Sequence, residues 1–165
     1  MPPEIEQWLR DRGSLTARLK SASHGDFRVN LLRQGWARPL DSERRLLGMR
    51  RGGIAILREV ELICGGVPWV FARTLIPAPS LKGPARRLAL LGTRPLGEVL
   101  FADPGMRRGI TQMARLNARH ALFASATAHL QPVAEIWGRR TLFHLAGKPL
   151  LVNELFLPNI PASPT

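Results

Sequence analysis

Residues 54 to 76 constrain the fold more than any other stretch of this 165-residue chain. From Ile54 to Cys64 the pattern has a period of two. Ile54, Ile56, Val60, Leu62 and Cys64 share one face, and Ala55, Leu57, Glu59, Glu61 and Ile63 share the other. Gly65-Gly66 is a two-residue hairpin signal, and Trp69 to Ile76 reads as the return strand, ended by Pro77. A chain that commits here to a hairpin of two largely apolar strands must build an antiparallel sheet around it.

The flanking segments agree. Ile5, Trp8 and Leu9 fit a short amphipathic helix broken at Gly13, and Ser14 is placed to cap a second one carrying Leu15 and Leu19. Asp26 to Trp36 reads as a strand, and Asp41 to Arg51 as a polar, basic short helix and loop closed by Gly52-Gly53. Pro84 suits the first turn of a helix to Leu91 with Gly92 as its stop, and Thr93-Arg94-Pro95 opens another through Phe101. Gly109 to Leu116, Arg139 to Leu145 and Pro149 to Leu157 read as strands, the last two joined by Ala146-Gly147-Lys148. Asn117 to Gln131 leaves strand and helix equally open. Pro158 to Thr165 reads as a loose tail. Hairpins dominate and helices are short, so the expected class is α+β with an antiparallel sheet, in a single domain over residues 1–165.

Charge adds less than its size suggests. Lys and Arg number 24 against 12 Asp and Glu, a net +12. Nucleic acid is the usual partner of such a chain. Here 21 of the 24 cations are Arg, dispersed in short pairs between apolar segments, and no zinc-finger spacing, RNP aromatic signature or GXXG clamp is present. The expectation is a chain that binds no nucleic acid. No apolar run approaches the ~20 residues of a membrane span. One cysteine, Cys64, excludes an internal disulfide framework and suits a reducing, cytoplasmic setting. The four histidines lack metal spacing, and Gly147-Lys148-Pro149 is not a phosphate loop. No metal and no cofactor are expected.

Three charges stand on apolar strand faces. Arg58 is in phase with Ile54, Ile56, Val60 and Leu62. With Gly65 and Gly66 as the turn, Arg58 is expected opposite Arg73, whose own neighbours are Trp69, Phe71 and Leu75. Like charges so placed need anions unless the face is solvent-exposed despite its composition: either acidic side chains meet them, or the pair receives a dianion, one carboxylate per guanidinium. Glu154 is in phase with Leu150, Val152 and Phe156. It is either an arginine's structural partner or a working acid or base.

Leu57-Arg58-Glu59-Val60, Pro68-Trp69 with Ala72-Arg73-Thr74, Pro95-Leu96-Gly97, Trp137-Gly138-Arg139-Arg140, and Gly147-Lys148-Pro149-Leu150-Leu151 through Glu154-Leu155-Phe156-Leu157-Pro158 together resemble the chorismate pyruvate-lyase family. The likeness runs from about Trp8 to Pro158. It implies a six-stranded antiparallel sheet whose buried site lies under two helical flaps. It also implies conversion of chorismate to 4-hydroxybenzoate and pyruvate, without metal or cofactor, to supply the ubiquinone ring. By motif, Arg58 would bind the ring carboxylate and Glu154 would lie at the 4-hydroxyl end. Backbone groups of Leu15 and Leu96 would line the site, and Arg73 would take the enolpyruvyl carboxylate. A monomer is expected.

The chain departs from the family pattern in a shorter region before Trp8, a longer one from Met106 to Ile136, and Ala72 where glycine is expected. Two other readings compete. One is a non-catalytic domain of the same fold that binds a small aromatic or carboxylic acid effector. The other is a basic RNA-binding module.

Overall fold

The Gly65-Gly66 turn forms with φ of 56° and 80°, the left-handed geometry a two-residue hairpin demands. It joins β2 (Ala55–Cys64) to β3 (Val67–Pro77). The computed structural model describes residues 1–162. Their six strands form one antiparallel sheet in the order β1-β2-β3-β6-β5-β4, with β1 (Phe27–Ala37), β4 (Met106–Leu116), β5 (Ile136–Leu145) and β6 (Lys148–Phe156). The expected α+β class is what the chain adopts. Among the described residues no helix is long and apolar enough to cross a membrane.

The hairpin carries one irregularity that rearranges its charges. Next to the turn, Cys64 pairs with Val67 and Ile63 with Pro68, but Leu62 pairs with Val70. Trp69 is the extra residue. Pro68 has no N–H to give the ladder, so pairing beside it is weakened and a bulge is accommodated there. Every residue after Trp69 is therefore displaced by one. Arg58 stands opposite Thr74 and not Arg73, while Arg73 stands opposite Glu59 on the other face. The expected facing of Arg58 and Arg73 is corrected by this bulge.

Each sheet face is covered by helices. On the front lie α1 (Pro3–Arg10) and α2 (Leu15–Ala22). Pro at the start, Glu4 and Glu6 in the first turn and Arg10 in the last favour α1, which buries Ile5, Trp8 and Leu9. Ser14 caps α2 as expected, its Oγ accepting from the Ala17 N–H at 3.2 Å. The long β3–β4 connection covers the rest of the front. It contains 3₁₀ turns at Ala78–Lys82 and Pro84–Leu90, where an α-helix was expected for the second, and then α4 (Leu96–Ala102). Leu88, Leu91 and Leu100 pack there on Ile76, Phe143, Leu150 and Val152.

On the back lie α3 (Asp41–Leu47) and α5 (Ala121–Thr127), the latter deciding the open 117–131 segment as helix. Phe123 and Ala126 pack there on Phe71, Leu155 and Leu157. β4 and β5 each begin three residues earlier than expected. The segment after Pro158 is fastened in part: the Trp8 indole N–H donates to the Pro161 carbonyl at 2.9 Å, and Ile160 packs on the α1 cluster. The remainder of the expected loose tail, residues 163–165, lies outside the described residues.

Candidate active site

A narrow cavity of about 60 Å³ lies between the front face and its helices. Its floor is Val60, Ala72, Thr74 and Val152, and its charged groups are Arg58, Arg108, Arg139 and Glu154. The rim is formed by Leu15 and Thr16 of α2 and by Leu96 and Gly97 of α4. Leu15 and Leu96 each open their helix, so their backbone N–H groups have no acceptor within it. The two helices meet closely. A Cβ on Gly97 would come within 3.0 Å of the Thr16 hydroxyl oxygen, and Lys20 pairs with Glu98 across the seam.

Arg58 is 2% exposed and has three neutral acceptors. It donates to the carbonyls of Gly92 at 2.7 Å and Arg94 at 3.0 Å, and to Gln34 Oε1 at 3.4 Å. Among the described residues no carboxylate pairs with it. Burial lowers its pKa from the usual arginine value, the mark of a cation stripped of water and given no counter-charge. Both carbonyls belong to the link between Leu90 and α4, so the guanidinium is positioned by the cover it lies beneath.

Glu154 is 9% exposed and accepts from Arg139 Nε at 3.0 Å. Arg139 Nη1 also donates to the carbonyls of Trp8 and Leu9, each at 3.1 Å. These carbonyls end α1 and lack helical partners, and a cation suits that negative pole. Of the two readings open for Glu154, the arginine partnership is therefore present, and the carboxylate also borders the cavity.

Arg73 lies outside this cavity. It is 6% exposed on the back face, where it donates to Glu43 at 2.9 and 3.0 Å and to Glu59 at 3.2 Å. Asn153 adds a donor to Glu43 at 2.9 Å. Burial alone would lower the Arg73 pKa, but the hydrogen bonds and charges of Glu43 and Glu59 reverse the effect and raise it. Acidic side chains thus meet Arg73, one of the alternatives open to it. The basic segment 41–51 conceals the decisive partner, because Glu43 on α3 is fully buried.

Arg108 and Arg139 were not singled out from the sequence. Arg139 had a usable signal, since it stands on the same β5 face as Phe143 and Leu145, but Arg139-Arg140 also reads as surface charge. Arg108 lies before the expected start of its strand and had none. A larger hollow of about 800 Å³ opens on the back face between α3, α5 and β4–β6. Arg140 there already donates to Gln112 Oε1 at 2.8 Å and to Ser42 Oγ at 3.0 Å. Arg58, fully enclosed and without a carboxylate partner, lies beneath the front cover, so the smaller cavity is the better candidate.

Residues 1–162 match the family model described as chorismate lyase. The chain belongs to the chorismate lyase family. Relatives within it include proteins named "Probable chorismate pyruvate-lyase" from Methylococcus capsulatus and Thiobacillus denitrificans. The first is 47% identical, covering 97% of this chain and 98% of the relative, and the second 46% identical, covering 95% and 84%. This chorismate lyase family member shares its fold with solved transcriptional regulators. A GntR-family regulator from Bacillus cereus superposes with a TM-score of 0.62 at 12% identity, covering 85% of this chain and 97% of that one. PhnF from Mycobacterium smegmatis gives 0.65 at 15%, covering 91% and 66%. At such identities the likeness concerns the fold alone.

Proposed function

We propose that the front cavity is the active site of a chorismate pyruvate-lyase, releasing 4-hydroxybenzoate for the ubiquinone ring. The observation that carries this reading is Arg58: a buried guanidinium, fixed by neutral carbonyls and lacking a carboxylate, in a cavity with a largely apolar floor. Such a group calls for a small anion, and an apolar floor suits a six-membered carbon ring.

In this reading Arg58 holds the ring carboxylate. The N–H groups of Leu15 and Leu96 close on the ligand from the two helix starts. Glu154, oriented by Arg139, accepts a hydrogen bond from the 4-hydroxyl and assists loss of the adjacent C4 proton. The reaction balances without redox chemistry. The C3–O bond breaks, the C4–H electrons complete the aromatic ring, and the proton ends on the methylene carbon of the departing group, which leaves as pyruvate. Substrate carries two negative charges and each product carries one. Aromatisation drives the step, so the residues position and polarise.

The test is purified protein with chorismate in the presence of a chelator, read as 4-hydroxybenzoate and pyruvate in equal amounts. Arg58→Ala and Glu154→Ala should each lower kcat/KM at least about 30-fold, the loss typical of removing one partner of a buried charged hydrogen bond. Absence of product from the wild-type protein, or unchanged turnover in both variants, overturns the reading. Tight binding of 4-hydroxybenzoate without turnover would instead mark an effector-binding domain.

A further inference from the structure

We propose that Arg108 is a substrate-binding residue that holds the second, enolpyruvyl carboxylate of the substrate, the role the bulge at Trp69 denies to Arg73. The inference rests on the chorismate reading and extends it to the departing half of the molecule.

Four charged side chains border the cavity, namely Arg58, Arg108, Arg139 and Glu154. Their formal sum is +2, which a dianion would neutralise. Arg139 is committed, to Glu154 and to the α1 carbonyls. Arg58 accounts for one carboxylate. Arg108 is the guanidinium left over. It stands opposite Phe143 on the cavity side of β4. It lies against two rings, with Cζ 5.3 Å from the Phe143 centroid and 5.7 Å from that of Phe101. One nitrogen, Nη1, donates to the Arg12 carbonyl at 2.6 Å.

Its Nε is buried and has no hydrogen-bond partner, the one such side-chain atom among the described residues. A buried unpaired donor is costly, and at a site it marks a place where an acceptor belongs. Burial, then the neighbouring charge of Arg139, lower the Arg108 pKa, so a bound anion would relieve both strains.

Position agrees with the chemistry. Arg58 on β2 and Arg108 on β4 reach the cavity from opposite sides of its floor, with Glu154 on β6 between their strands. In chorismate the enolpyruvyl ether is on C3, next to the C4 hydroxyl assigned to Glu154, and the ring carboxylate is remote from both. Arg58 and Arg108 thus address opposite ends of one dianion. Once the C3–O bond breaks, the arginine holds pyruvate and no longer touches the ring.

The two ligands differ in the group concerned, which makes the role measurable. Arg108→Met keeps the stem against the two phenyl rings and removes the fork. It should lower kcat/KM for chorismate about 30-fold or more. It should leave the Kd of 4-hydroxybenzoate, which lacks the second carboxylate, within about threefold of wild type. Arg108→Lys should recover part of the loss. Chorismate is also scored by its ability to displace bound 4-hydroxybenzoate, so the role is read even if turnover is absent. Arg58→Met in the same series should weaken both ligands. Parallel weakening of both ligands by Arg108→Met would show a purely structural tether to Arg12 and overturn the proposal. So would chorismate turnover and displacement that stay within threefold of wild type. A wild-type protein that binds chorismate through Arg108 and does not convert it would overturn the lyase reading and leave this one standing.

Discussion

A buried guanidinium can be neutralised by its own chain or kept in want of an anion, and Arg73 and Arg58 show both on neighbouring strands. Arg73 is enclosed by two carboxylates and an asparagine, so its charge is spent on holding α3 against β2, β3 and β6. Removing it leaves Glu43 buried without a cation and Glu59 with only the exposed Arg33, 3.7 Å away. Arg73→Met should therefore destabilise the protein by about 3–5 kcal/mol in urea denaturation. The activity of the fraction that remains folded should stay within about threefold of wild type. A stable Arg73→Met protein that had lost chorismate binding would return this residue to the active site. Arg58→Met should behave oppositely, because no buried carboxylate loses its partner.

At the scale of elements, the site is made by the contact of two short helices that neither could sustain alone. α2 and α4 begin within reach of each other, and Gly97 makes the approach feasible by leaving the Thr16 hydroxyl room. The cavity beneath is well below the roughly 300 Å³ of ordinary ligand pockets, so ligand entry requires this seam to part. Gly97→Ala should hold it slightly open. The expected result is faster release of 4-hydroxybenzoate in stopped-flow measurements, about 3- to 10-fold, a gain of up to about 1.4 kcal/mol in favour of the open form. An unchanged release rate would show that the helices separate elsewhere.

Much of this arrangement was legible in the residues. The phases of β2 and β6 were readable because both strands are regular from end to end, and they placed Arg58 and Glu154 on the cavity face. β3 was misread because its phase depends on a single uncounted residue, Trp69, admitted where Pro68 cannot pair. The helix at 121–127 was undecidable because its Ala, Ser and Thr residues carry little apolar periodicity, and its stability comes from Phe123 and Ala126 meeting the back face. Arg108 was invisible for a different reason. Its significance is a missing partner in three dimensions, and a linear pattern does not record that.

Across the whole molecule, the +12 charge divides into a small functional part and a large dispersed one. Two units of it are the unneutralised charge at the cavity. The rest raises the local concentration of a dianion before it binds. kcat/KM for chorismate should accordingly fall severalfold between about 0.01 M and about 1 M monovalent salt, as the Debye length contracts from about 30 to about 3 Å. kcat should change little. Salt-independent kcat/KM would confine the role of charge to the cavity.

The fastening of α1 has a separate consequence, for the order in which the protein is made. Trp8 packs its ring 6.5 Å from that of Phe156 and donates to Pro161, and the carbonyls that end its helix await Arg139. All three partners lie more than 125 residues downstream. α2, β2 and β3 offer α1 an apolar seat early, but the fastening of Trp8 and of the helix end waits for β5, β6 and the segment beyond them, so the front of the site is secured only when the far strands are in place.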